Sequence, residues 1–188
     1  LKTYRPHGFE ALIRWRRNGE MVSPADFIPV VEDTGLIFPL GRRIITTACT
    51  DLSTLHPKIH EDLSVAVNLS AKQFQDAGLV NQIQSVLNDT KINPSLMSVE
   101  VTENIAISDV NSALHMMQEI AKMGVKLSID DFGTGYSSLA YIKRFTAHEL
   151  KIDKSFINDI PEDPGDSAIV QAVVTMAHTI GMKVVAEG

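Results

Sequence analysis

The sequence predicts an α/β fold in which helices cover a parallel sheet. Short apolar runs alternate along the chain with segments whose apolar residues recur at a helical period, and repeated βα units of this kind build parallel sheets. Most of the strand segments are continuously apolar, as expected where both faces of a strand are covered. Two helical segments are followed by a glycine, Gly124 or Gly181, a residue type that commonly ends helices.

The individual elements follow from local signals. The first helix is expected to begin after Ser23, which can cap its first turn, with Pro24 at its first position. Further helices are expected over Phe38–Leu55, Leu79–Leu87, Val110–Met123 and Asp166–Ile180. Extended segments or strands are expected over Gly8–Trp15, Ser64–Leu69, Met97–Thr102, Val125–Ile129, Leu150–Ile152 and Lys183–Ala186.

About six strands leave two arrangements open, an open sheet or a barrel that has lost pieces at both ends. A (β/α)₈ barrel needs eight strands and typically about 250 residues, whereas this chain has 188 residues. The chain also stops directly after a strand, at Ala186-Glu187-Gly188. Because no linker or low-complexity tract divides the sequence, residues 1–188 are expected to form one domain.

Charge and composition exclude several functional classes. The formal net charge of −6 argues against a long nucleic acid as the partner, because such partners require a cationic face. No apolar run approaches the roughly 18 residues of a membrane span. The single cysteine, Cys49, excludes disulfides within the chain and lies among apolar residues, so it is expected in the core. These features favour a cytoplasmic location.

Polar side chains recur where the apolar runs give way to loops. In a βα barrel the C-terminal ends of the strands converge on the active-site face, so these side chains would surround one point. Glu10 fits this pattern less well, because it lies within its apolar segment. The residues at the other strand ends are Asn68, Glu100 with Glu103 three positions later, the pair Asp130-Asp131, Lys151 with Asp153, and Glu187.

This set of side chains indicates metal chemistry. Several carboxylates cost too much free energy to bury together without a cation. Oxygen ligands from Glu, Asp and Asn suit Mg²⁺ or Mn²⁺ rather than zinc. The adjacent pair Asp130-Asp131 could let one carboxylate bridge two ions, the arrangement used for attack on phosphate esters. Arg14 could pair with a surface carboxylate or bind a phosphate. The residues by themselves predict metal-assisted phosphoryl chemistry in a βα barrel.

A series of motifs resembles the EAL domain family and covers nearly the whole chain. Asp130–Leu139 is a highly specific block within it. In order, the motifs are Glu10-Ala11-Leu12, Val67-Asn68-Leu69-Ser70, Val99-Glu100-Val101-Thr102-Glu103, Ile129-Asp130-Asp131-Phe132-Gly133-Thr134-Gly135-Tyr136-Ser137-Ser138-Leu139, Leu150-Lys151-Ile152-Asp153 and Val184-Val185-Ala186-Glu187-Gly188.

The resemblance implies a TIM-type (β/α)₈ barrel whose first strand runs antiparallel to the others. It also implies hydrolysis of the bacterial second messenger cyclic di-GMP to linear pGpG with two Mg²⁺ or Mn²⁺ ions. Relative to the family, the chain is expected to lack the first strand and the C-terminal strand–helix material. An alternative within the family is a receptor that binds cyclic di-GMP without opening it. Such members usually lose metal ligands, whereas every matched ligand is present here.

The resemblance also implies roles for individual residues and partners. The family forms homodimers, and a sensory or GGDEF domain and an inner-membrane anchor are expected in the full-length protein. Glu103 would anchor the loop Asp131–Leu139, in which Gly133 and Gly135 supply backbone freedom. The metal ligands would be Glu10, Asn68, Glu100, Asp130 and Asp131, the groups that orient or activate water Lys151 and Glu187, and the substrate contacts Arg14 and Leu12.

Overall fold

The computed structural model describes residues 6–59, 63–133, 142–158, 160 and 162–187. Its main feature is a curled, six-stranded parallel sheet with the strand order β1-β4-β5-β6-β7-β8. The two remaining strands, β2 and β3, pair with each other as an antiparallel hairpin. The strands are β1 Gly8–Ala11, β2 Trp15–Arg17, β3 Glu20–Val22, β4 Ser64–Asn68, β5 Met97–Thr102, β6 Lys126–Phe132, β7 Glu149–Ile152 and β8 Lys183–Ala186.

Described helices lie in four of the five connections between successive strands of the sheet, as expected of parallel βα units. The fifth connection, from β6 to β7, includes residues 134–141, which lie outside the described part of the chain. None of the helices in the described part of the chain is long and apolar enough to cross a membrane. The helices are α1 Pro24–Asp33, α2 Ile37–Ile59, α3 Ala71–Phe74, α4 Leu79–Thr90, α5 Glu103–Ser108, α6 Val110–Lys122, α7 Lys154–Ile157 and α8 Pro164–Thr179, with a 3₁₀ turn at Pro94–Leu96.

The hydrophobic core lies between the outer face of the sheet and the helices. Alternate residues of the central strands, such as Val99, Leu127 and Leu150, are fully buried there. Apolar side chains of α2, α4 and α6 complete this core, including Ile45 and Ile83. The opposite face of the same strands carries small and polar side chains, because the side-chain direction alternates along a strand. The charged residues of interest lie on that inner face.

The sequence-based boundaries are largely confirmed. Met97–Thr102 and Lys183–Ala186 are strands over the predicted residues, and Ser23 caps α1 by accepting a hydrogen bond from the Ala25 amide at 3.3 Å. The expectation of one extended segment over Gly8–Trp15 is wrong, since β1 ends at Ala11 and a separate hairpin begins at Trp15. The turn of that hairpin, Asn18-Gly19, has positive φ at both residues, as a tight two-residue hairpin turn requires.

Candidate active site

The predicted polar residues gather on the inner face of the sheet near the C-terminal ends of its strands. Register explains this, because Asn68 pairs with Glu100 across β4 and β5, and Thr102 pairs with Asp130 across β5 and β6. Glu10 is the penultimate residue of β1, so it reaches the same edge as Asn68. The Asn68 amide nitrogen donates a hydrogen bond of 2.6 Å to Glu10 Oε1.

Lys151 joins these carboxylates. Its ammonium nitrogen lies 2.6 Å from Glu187 Oε1, 3.1 Å from Glu100 Oε2, 3.2 Å from Asp130 Oδ1 and 4.0 Å from Glu10 Oε2. The lysine is only 6% exposed, and Glu100 is 3% exposed. One buried cation therefore contacts side chains from four strands or strand ends.

The carboxylates form two groups that share Asp130. Glu10, Glu100 and Asp130 offer oxygens that lie within 4.8 Å of one another, and so do Asp130, Asp131 and Glu187. Such sets of carboxylate oxygens suit hard divalent cations. Either group could therefore hold a divalent metal ion, and Asp130 is available to both groups.

A β-bulge in β6 creates the second group. Ile129 pairs with Leu150 and Phe132 with Ile152, so two residues of β6 lie opposite the single residue Lys151 of β7. Asp131 adopts φ +53°, in the left-handed region that few residues other than glycine occupy. This strained backbone turns two successive carboxylates toward one edge, which a regular strand would point to opposite faces.

Electrostatics at the site favour an added cation. Burial raises the pKa of Glu100 to about 7, although the Lys151 ammonium opposes that rise. Burial also raises the pKa of Asp131, with further contributions from Asp130 and Asp153. Burial alone would lower the pKa of Lys151, but hydrogen bonding to Glu187 and the charges of Glu100 and Asp130 raise it. The anionic forms of Glu100 and Asp131 are thus disfavoured, and a metal ion would relieve this.

Glu103 lies behind the carboxylate groups rather than among them. It is the first residue of α5 and is 2% exposed, and its Oε2 accepts a hydrogen bond of 3.0 Å from the Gly133 amide. Gly133 adopts φ +103°, and Phe156 of α7 packs so closely that a β-carbon at Gly133 would lie 2.6 Å from its ring. The start of the loop is therefore held by Glu103, whereas residues 134–141, including Gly135, lie outside the described residues.

The two predicted substrate contacts line a different pocket from the one that Lys151 lines. Arg14 and Leu12 line an apolar groove of about 910 Å³ formed by the end of β1, the hairpin, α1 and α2. Leu12 is half exposed, and the Arg14 guanidinium donates a 2.8 Å hydrogen bond to the carbonyl oxygen of Ile13. The two residues follow Glu10 closely along the chain, but they are not among the described residues that line the pocket of Glu10, Glu100 and Lys151.

Two features of the site differ from the expectation. Asp130 is expected directly after the strand Val125–Ile129 but lies within β6, because that strand pairs further than its apolar run extends. Asp153 had no assigned role, although its charge contributes to the raised pKa of Asp131. The sequence signal for Asp153 was its position two residues after Lys151, because alternate residues of an extended segment lie on one face.

The comparison with protein families gives one match over the whole chain. The family model described as the EAL domain matches residues 1–188. Curated relatives include the bifunctional diguanylate cyclase/cyclic di-GMP phosphodiesterase MucR of Pseudomonas aeruginosa, which is 44% identical over 182 residues, or 96% of this chain and 27% of the relative. The cyclic di-GMP phosphodiesterase PdeR of Escherichia coli is 36% identical over 180 residues, or 95% of this chain and 27% of the relative. The chain thus spans about a quarter of these proteins.

Solved structures agree with the fold. The MucR phosphodiesterase in complex with c-di-GMP superposes with a TM-score of 0.90 at 44% identity, covering 95% of this chain and 73% of that structure. The EAL enzyme Bd1971, bound to cAMP and cyclic di-GMP, gives a TM-score of 0.92 at 32% identity over 100% of this chain and 52% of that structure. The family model, the solved structures and the order of the sequence motifs agree with one another. The chain therefore belongs to the EAL domain family.

Proposed function

We propose that this chain hydrolyses one phosphodiester bond of cyclic di-GMP to give linear pGpG, in a reaction that depends on two divalent metal ions, Mg²⁺ or Mn²⁺. The observation that carries the proposal is the pair of carboxylate groups that share Asp130 at the C-terminal edge of the sheet. Relatives at 36–44% identity that are named as cyclic di-GMP phosphodiesterases support the choice of substrate.

The chain's own residues divide into two sets of ligands. Glu10, Glu100 and Asp130 would hold the first ion, with Asn68 positioned by its hydrogen bond to Glu10. Asp130 and Asp131 would hold the second ion, and Glu187 lies within reach of it. When bound, such ions lower the pKa of a coordinated water and offset charge on the phosphate oxygens.

Other side chains would orient the reaction. Lys151 and Glu187 are in contact at 2.6 Å, so together they can position a water or accept its proton at the edge of the carboxylate groups. Glu103 would act through the loop that begins at Gly133, since its carboxylate holds that backbone amide. Arg14 and Leu12 would contact the phosphate and base of the substrate from the neighbouring groove.

The proposal extends to the whole protein. Residues 1–188 would form a single EAL domain that pairs with a second copy, and the full-length protein would carry a sensory or GGDEF domain. The small share of the relatives that the chain covers supports further domains, since one relative is named as bifunctional. A cytoplasmic location of this domain is part of the same proposal, because cyclic di-GMP is an intracellular messenger in the family that the sequence resembles.

The test is turnover of cyclic di-GMP measured by chromatography with Mg²⁺, with Mn²⁺ and with a chelator. The chain is assayed beside a longer version that adds the flanking strands implied by the family resemblance. Formation of pGpG that requires the metal, and that is lost in Glu10→Ala, supports the proposal. Tight binding of the dinucleotide with no product from either version would instead identify a receptor, and the carboxylates would then serve binding.

A further inference from the structure

We propose that Lys151 is an internal counter-ion that competes with divalent metal ions for the same carboxylate oxygens. The inference rests on the proposed function, because it concerns the ions that the hydrolysis would require. This role of Lys151 is distinct from orienting water, because it concerns the stability of the fold and the affinity for metal ions. The same ammonium would stabilise the fold when no divalent ion is bound and weaken the binding of those ions.

The position of Lys151 supports this competition. Its ammonium nitrogen contacts Glu100 of the first carboxylate group at 3.1 Å and Glu187 of the second group at 2.6 Å. It also lies 3.2 Å from Asp130, the residue that both groups share. A metal ion in either group would bind carboxylates that the ammonium already contacts.

Burial makes the interaction strong. Lys151, Glu100 and Asp130 are each at most 8% exposed, so solvent and salt screen their charges less than they screen surface pairs. Among the described residues, Lys151 is the one basic side chain within 4.0 Å of Glu10, Glu100, Asp130 or Glu187. Its loss would therefore leave these carboxylates without a neighbouring side-chain cation.

Two opposite consequences follow. Without divalent ions, removal of the ammonium leaves buried carboxylates that repel one another, and such broken pairs strongly destabilise folded proteins. With divalent ions, the ammonium and the metal are like charges a few ångströms apart, so its removal strengthens metal binding. Removal of a lysine that only packs, or only orients water, would not both lower the stability of the metal-free chain and strengthen metal binding.

The experiment compares the wild-type chain with Lys151→Met. Thermal unfolding is followed with a chelator and with saturating Mn²⁺, and Mn²⁺ affinity is measured by electron paramagnetic resonance of the free ion. We expect the melting temperature of the variant to fall by about 10 °C in the chelator. We expect Mn²⁺ to restore most of that loss and to bind the variant about tenfold more tightly.

A matched control is Lys122→Met on α6. That lysine forms an exposed ion pair with Glu119 at 2.6 Å, and exposed pairs contribute little to stability. Its removal should change neither the melting temperature nor Mn²⁺ affinity measurably. Binding of Mn²⁺ to the wild type with no gain in Lys151→Met would overturn the inference and leave the proposed function standing. Absence of Mn²⁺ binding in both chains would overturn the metal site and the inference together.

A second variant covers a failure of Lys151→Met to fold. Adding Glu187→Gln removes one of the carboxylates that the ammonium neutralises. Counter-ion action predicts that the double variant recovers folding in the chelator, because the excess negative charge is smaller. If the double variant is as unfolded as Lys151→Met alone, the lysine acts through packing and the inference is wrong.

Discussion

The two ends of the parallel sheet are held together in different ways. At the C-terminal end, charged side chains from β1, β5, β6 and the residue after β8 meet around Lys151 of β7. At the N-terminal end, backbone hydrogen bonds extend the pairing beyond the strands, from Ser64 to His7 at 3.2 Å, from His148 to Leu127 at 2.8 Å and from Lys183 to His148 at 2.9 Å. These bonds involve no net charge.

Because of this difference, the residues expected to take part in the reaction lie at the C-terminal end of the sheet. The charged end includes Glu100 and Asp131, whose anionic forms are disfavoured by burial, and a bound cation would stabilise them. The other end uses hydrogen bonds whose free energy does not depend on a ligand. We therefore expect substitutions at the charged end to affect activity most, and those at the other end to affect stability alone.

The largest effect is expected from Asp130→Asn, because Asp130 is the one residue common to both carboxylate groups. The asparagine retains the shape but removes the charge, so turnover of cyclic di-GMP should fall on the order of 10³-fold. Circular dichroism should report an unchanged fold. The control Asp89→Asn, at an exposed position of α4, should retain full activity. Turnover above a tenth of the wild-type rate would contradict the role assigned to Asp130.

A smaller loss is expected from Glu103→Ala, because Glu103 acts through the Gly133 amide. Activity should fall by about tenfold, the range found for residues that orient metal ligands and their neighbours. Hydrogen exchange of the Gly133 amide should accelerate at the same time. Glu103→Gln keeps an acceptor oxygen, so it should preserve both the slow exchange and most of the activity. Equal losses in both variants would show that the charge matters rather than the hydrogen bond.

A stability loss without a loss of chemistry is expected from Gly41→Ala in α2. A β-carbon there would collide with the amide of Gln73, which is 5% exposed and takes part in the capping box of α3. Overpacking of this kind costs about 2 kcal/mol of unfolding free energy, measurable by urea denaturation. Gly78→Ala is the control, because its β-carbon would meet neighbours only at ordinary contact distances. Unchanged stability of Gly41→Ala would mean that the helices readily move apart.

The smallest effect is expected at the N-terminal end of the sheet, from the titration of His148. Its Nδ1 accepts a hydrogen bond of 3.3 Å from the Leu127 amide, and burial, aided by the charge of Lys126, lowers its pKa. The unfolded chain therefore binds the proton first as the pH falls. The stabilisation by neutral His148 is present above about pH 6.5 and is lost as the pH falls through the lowered pKa of the folded chain.

That loss of unfolding free energy should be small, because His148 is exposed and solvent screens its interactions. It is measured by urea denaturation between pH 7.5 and pH 5. His148→Asn offers a side-chain acceptor that does not titrate. This part of the pH dependence of the unfolding free energy should therefore be absent from the variant. His115→Asn, at an exposed position of α6, should follow the wild type. A parallel pH dependence in wild type and His148→Asn would place the titrating group elsewhere.

Particular residues indicate how far the sequence could lead. The bounds of β5 and β8 and the cap at Ser23 followed from local signals, because strand periodicity and capping act over a few residues. The hairpin of Trp15–Arg17 and Glu20–Val22 was missed, since two three-residue strands carry too few residues for a clear period. Glu10 fits the pattern of polar residues at strand ends less well in the sequence, because the end of its strand at Ala11 depends on pairing with β4.

The residue types of the site were determined by the sequence alone: five carboxylates, an amide and a lysine spaced between apolar strands, with motifs that name the family. Only the tertiary structure decided which carboxylates each group contains and that Asp130 belongs to both groups. The bulge that turns Asp130 and Asp131 to one edge, and the placement of one ammonium against both carboxylate groups, depend on the register between β6 and β7. Register arises from contacts between strands distant along the chain, and local sequence patterns carry no direct signal for it.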